Sequence, residues 1–96
     1  MNNYTIEISQ LTASNKYEYI GKMLIQSNAT VKQLQNDFDA CLDFFDSIMD
    51  LLQREQNIEL VEAGEYWLDN EVSYEGIIVR QNDNVFTLKV ELVEES

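Results

Sequence analysis

Residues 30–56 read TVKQLQNDFDACLDFFDSIMDLLQREQ. Val31, Leu34, Phe38, Cys41, Leu42, Phe45, Ile48, Met49 and Leu52 recur at spacings of three and four. That is the period of one face of an α-helix. Thr30 is a good N-cap, and Gln33 three residues later approaches a capping box. The spacing therefore predicts one amphipathic helix of about 25 residues, ending near Gln56-Asn57.

On either side the period falls to two. Tyr4, Ile6 and Ile8 alternate with Thr5, Glu7 and Ser9, the pattern of a half-buried strand. A second β-rich stretch runs from Tyr17 to Ile25, and Leu11–Lys16 reads as the turn of a hairpin. Beyond the helix, Phe86, Leu88, Val90 and Leu92 alternate with Thr87, Lys89 and Glu91. Val72–Arg80 is their expected partner, joined through the turn Gln81-Asn82-Asp83-Asn84. Ile58–Leu68 fits a strand, a helical extension or an irregular connection, and Gly64 argues for a break inside it. The expected fold is α+β: an antiparallel sheet of four or five strands with one long amphipathic helix (about residues 30–56) packed on one face, in the order β-β-α-β(-β)-β. Residues 1–96 form one acidic domain in this reading.

Composition removes several classes of function. The 96 residues include no histidine, no proline and one cysteine. No zinc site of thiolates and imidazoles forms in such a chain, and Ser–His–Asp or Cys–His catalysis lacks its base. A lone cysteine makes no internal disulfide. The start, Met1-Asn2-Asn3-Tyr4, lacks a basic stretch followed by an apolar run, so no signal peptide is read. No apolar stretch approaches the ~20 residues of a membrane span. The expectation is a soluble, cytoplasmic protein without cofactor or metal, and not an enzyme. Eighteen acids against six bases give a net charge of −12, which disfavours direct binding to nucleic acid or to an anionic membrane.

The charge is unevenly placed. Residues 1–30 balance Glu7 and Glu18 against Lys16 and Lys22. Residues 31–56 carry −4, residues 57–76 carry −6 with no base, and the last twenty carry −2. On the helix Asp39, Asp43, Asp46 and Asp50 step by four, three and four. At about 100° per residue they fall within roughly 60° of arc, away from the apolar face. Asp50 has Arg54 four residues on, and Lys32 falls on the same face one end away. Such a row of carboxylates imitates the phosphates of a nucleic-acid strand, spaced about 3.4 Å apart along a duplex. It equally suits a solvated helix face. Glu59, Glu62, Glu65, Asp69, Glu71 and Glu75 follow directly, which favours a surface of one sign.

Other constellations carry less. No carboxylate stands out as a general acid or base, and a helical row is a poor cage for a cation. Asn28-Ala29-Thr30 has the glycosylation pattern, which means nothing without secretion. Cys41 lies on the apolar arc, as a small buried hydrophobe would. Phe44 and Leu51 stand seven apart at the edge of that arc. They are either gripped by the sheet or form an apolar ledge beside the acidic stripe. Tyr66, Trp67 and Tyr74 fall in or beside the most acidic block, where aromatics suggest a protein partner or the core.

The reading these residues support is a small acidic inhibitor that occupies the basic, nucleic-acid-accepting groove of another protein, such as a nucleic-acid-processing enzyme or CRISPR effector. Its candidate partner-binding residues are the four helix aspartates, the six acids from Glu59 to Glu75, Phe44 and Tyr66. In size, acidity and lack of catalytic residues the chain resembles phage-encoded anti-defence proteins, such as anti-CRISPR and anti-restriction inhibitors. That resemblance is one of character and carries no residue roles. Two alternatives are an immunity protein neutralising a cognate toxin, and a structural or adaptor subunit, homodimeric through the sheet edge or the Phe44–Leu51 ledge.

Overall fold

In the computed structural model, which describes residues 1–67 and 72–95, the alternation of Tyr4, Ile6 and Ile8 becomes the inner face of β1 (Asn2–Leu11). All three side chains are buried. A turn over residues 12–16 leads into β2 (Tyr17–Ser27), which pairs antiparallel with β1 from Asn2↔Ser27 to Leu11↔Tyr17. The register slips between Ile8 and Ser9, leaving Ile20 as an extra residue in β2.

The predicted helix is two helices. α1 (Val31–Asn36) begins in the full capping box: Gln33 N–H donates to Thr30 Oγ1 at 3.1 Å, and Thr30 N–H donates to Gln33 Oε1 at 2.8 Å. It stops at Asp37, whose backbone is extended at φ −113° and ψ 109°. The Asp37 carboxylate accepts from the N–H groups of Asp39 and Ala40 at 3.0 and 3.3 Å, and so caps α2 (Phe38–Gln56). An aspartate that satisfies two orphan donors is worth ~0.5–2 kcal/mol at a helix start. It therefore outcompetes continuation through its own position. α2 ends at Asn57 in the left-handed region.

The stretch left open in the sequence is extended. β3 (Glu59–Glu62) and β4 (Glu65–Trp67) both pair with β5 (Ser73–Gln81), β3 along Ile78–Arg80 and β4 along Ser73–Glu75. They are two halves of one edge strand, interrupted at Ala63-Gly64. Gly64 has φ +80° and faces Gly76 at φ +69°. A Cβ on Gly64 would run into the Glu75 carbonyl oxygen and the Gly76 backbone. β6 (Asn84–Glu95) follows β5 through a two-residue turn, Asn82-Asp83, both at positive φ. The sheet is antiparallel throughout, in the order β2-β1-β6-β5 with the β3/β4 edge last. That is an α+β fold with five strand positions.

α2 covers one face of the sheet. Cys41, Phe44, Phe45, Ile48, Met49 and Leu52 meet inward residues of β1, β5 and β6. Two aromatic pairs clamp the helix: Tyr4–Phe44, edge to face at 5.5 Å, and Phe45–Tyr74 at 5.0 Å. Each adds about 0.5–1.5 kcal/mol beyond burial. Both tyrosine hydroxyls are satisfied. Tyr4 donates to the Ala29 carbonyl, and Tyr74 donates to the Cys41 carbonyl at 3.1 Å.

Candidate functional site

The helix aspartates lie on the exposed flank of α2, where Asp43 and Asp50 border grooves shared with Leu24, Gln26 and Ser27 of β2. Asp39, Asp43, Asp46 and Asp50 are all exposed. Asp50 pairs with Arg54 at 3.2 Å, an exposed i,i+4 pair of little strength. Among the described residues no ion pair involves Asp39, Asp43 or Asp46. The break at Asp37 puts Lys32 on a separate helix. What remains is a row about 16 Å long at 1.5 Å per residue, with its compensating charge at one end.

The second acidic block lies elsewhere. Leu60 is opposite Val79, which is fully buried beneath α2. Alternation places Glu59 on the other face of the sheet, and the bulge at Val61 brings Glu62, opposite Ile78, to that face as well; Glu65 and Glu75, opposite each other, also lie there. Glu59 pairs with Arg80 at 3.5 Å, and Glu75 pairs with Lys89 at 3.6 Å. Lys89 also reaches Glu91 at 3.5 Å and lies 6.0 Å from the Tyr17 ring. Tyr17 Oη accepts from Gly76 N–H at 3.0 Å, tying β2 across the sheet to the glycine kink. Adjacency in sequence thus does not make one surface of one sign: the sheet separates the helix row from the glutamates, and cations partly neutralise the latter. Asp69 and Glu71 lie outside the described residues, and so does the side chain of Tyr66.

Phe44 is corrected outright. It is 2% exposed and packed on Tyr4, so it is core and offers no ledge. Leu51 is half-buried. Tyr74 is likewise core, at 1% exposed. Conversely Phe38, counted on the apolar face, is 60% exposed, because α2 begins there. Its position directly after an Asn-Asp pair was the available signal.

Cys41 is fully buried, and its thiol donates to Tyr74 Oη at 3.4 Å. Burial pushes its pKa above the ordinary 9.0, against a smaller downward pull from Tyr74. Burial also raises Tyr4 above its ordinary 10.0, helped by the negative charge of Glu95. Both groups ionise more readily in the unfolded chain. Their contribution to stability is therefore complete below 9.0 and is lost as pH rises past 9.0 and then 10.0. Urea midpoints measured from neutral to strongly alkaline pH are expected to hold steady and then fall through that window.

Among the described residues no three carboxylate or thiol groups converge to hold a metal ion. No helix among them is long and apolar enough to cross a membrane. Comparison with known protein families, curated proteins and solved structures finds no match to this chain.

Proposed function

We propose that this protein is a binding inhibitor whose α2 aspartate row occupies the basic, nucleic-acid-accepting groove of another protein. The observation that carries the reading is the row itself: three successive exposed carboxylates, Asp39, Asp43 and Asp46, that form no ion pair among the described residues. Like charges at this spacing cost an isolated helix roughly 0.2–0.5 kcal/mol per pair. A partner's Lys and Arg side chains recover that cost on binding and steer the encounter. The mechanism is occupancy and needs no catalytic group. The glutamates on the opposite sheet face are not part of the contact in this reading, which narrows the site to α2.

The test is recovery of the partner from lysate with the wild type and with a variant carrying Asp39→Lys, Asp43→Lys, Asp46→Lys and Asp50→Lys. The expected partner has a nucleic-acid-binding surface, is competed off by DNA or RNA, weakens steeply with salt, and is lost by the variant. Circular dichroism of the variant is expected to match the wild type, since all four positions are exposed. Undiminished binding by the folded variant overturns the reading.

A further inference from the structure

We propose that the recess beyond the C-terminal end of α2 is a binding site for a small neutral molecule, one ring bearing one hydroxyl. This stands apart from the aspartate row and does not depend on the function proposed above. α2 gives its last buried side chain at Leu52 and ends at Gln56, where Asn57 in the left-handed region turns the chain. The sheet runs on beneath. Its inner face there holds Ile8, Val79 and Leu88, which are 9%, 0% and 3% exposed. Over them lies a recess of about 250 Å³, walled by Leu52 and Ile58.

Gly21 keeps this space open. It pairs with Ile8, whose side chain is inward, so position 21 faces the recess as well. The chain has three glycines. Gly64 and Gly76 have positive φ and Gly21 does not, so the backbone at position 21 suits any residue. Glycine weakens a strand interior, and it marks places where something else comes close. A Cβ built on Gly21 would nevertheless meet nothing within 4 Å. The room that this glycine leaves is not taken up by the protein's own described residues.

Size and chemistry select the occupant. An apolar cavity of ~150 Å³ admits benzene, so this larger recess takes one ring and a substituent. Gln10 and Gln81 stand two residues on from Ile8 and Val79, and alternation brings both to the inner face, where they border the recess. Gln81 donates through Nε2 to the Gln56 carbonyl at 2.6 Å. That bond fixes the amide and leaves its oxygen to accept from a hydroxyl. The grooves beside Asp43, Asp50 and Glu75 each border a carboxylate, whereas this recess borders none. Lys22 borders it too, but it sits opposite Glu7, on the other face of the sheet. A charged ligand would therefore leave water without a counter-charge.

Amide chemical shifts followed during titration with phenol test this, with benzoate and benzylammonium as charged rings of similar size. Phenol is expected to move the Gly21, Ile58 and Gln81 amides saturably at millimolar concentration. The two charged rings are expected to bind at least about tenfold more weakly. Gly21→Leu puts a side chain into the space, and is expected to keep the circular dichroism spectrum while abolishing the shifts. Gly21→Ala intrudes less and is expected to weaken binding in part, so the series decides the matter even where the larger side chain does not fold. Phenol that gives no saturable shift at these amides overturns the proposal. So does benzoate or benzylammonium that binds as tightly as phenol, and so does phenol binding that the folded Gly21 variants leave unchanged.

Discussion

Phe44→Ala is expected to remove about 3–5 kcal/mol of folding free energy, the range for deleting a buried aromatic ring. The ring is 2% exposed and stands edge-on to Tyr4. Truncation leaves a cavity between α2 and β1 that neither rigid element collapses to fill. For 96 residues the whole stability is of order 5–14 kcal/mol, at about 0.05–0.15 kcal/mol per residue. The variant therefore loses a large fraction of what holds it together. At about 4–8 °C per kcal/mol for a domain of this size, its melting midpoint falls by at least about 12 °C. Phe44→Leu keeps most of the volume and is expected to lose less than half as much. A Phe44 exposed for docking would instead change stability by no more than about 0.5 kcal/mol. Denaturant melts of the two variants distinguish these cases without any knowledge of a partner.

Gly64→Ala is the second substitution with a large expected effect. A φ of +80° costs an L-residue about 1–2 kcal/mol by itself. Here the added methyl also meets the Glu75 carbonyl oxygen and the Gly76 backbone, and backbone cannot step aside as a flexible side chain can. The β3/β4 edge is therefore expected to part from β5. Amides of β5 that bond to that edge would exchange faster with solvent, while those paired with β6 keep their protection. Gly76→Ala carries the same conformational strain at φ +69° but meets only the Gly64 Cα, at 3.9 Å. Gly21→Ala meets nothing within 4 Å. The expected order of destabilisation is Gly64, then Gly76, then Gly21. A Gly64→Ala protein as stable as Gly76→Ala would mean that the close approach contributes nothing.

The elements legible in the sequence are those with a single strong period. β1 and β6 alternate cleanly because one face of each meets α2 and the other does not, and the Asn82-Asp83 turn announces its positive φ through its residue types. The break at Asp37 was hidden because Leu34 and Cys41 keep helical spacing across it. Periodicity records which side chains are buried and not whether the backbone between them is continuous. Ile58–Leu68 was ambiguous because Gly64 divides it into pieces too short to show a period. The candidate site was legible only in part. Helical geometry aligned Asp39, Asp43, Asp46 and Asp50 correctly, since that is a local property. Whether the glutamates joined them depended on which face of β5 the edge strand presented. That is set by the Leu60↔Val79 register, which the sequence does not state. Phe44 was misplaced for a similar reason: only the arrival of Tyr4 from β1 decides that the edge of the apolar arc is covered.

The centre of the sheet joins β1 to β6, with Tyr4 opposite Glu95 and Ile8 opposite Val90. These are the first and last strands along the chain. During synthesis the β1–β2 hairpin leaves the ribosome with the apolar side chains of Tyr4, Ile6, Ile8 and Ile25 uncovered. Its neighbour in the sheet, β6, is made only after α2 and β5. α2 emerges in between and can shield that face for a time, but the sheet gains its middle only once β6 has emerged. Pairings this distant in sequence close slowly compared with local ones. Nascent chains are thus held longest in the state in which both edges of β1–β2 are open to other chains, and the burden of staying unassociated then falls on the acids of residues 31–76, which carry −10.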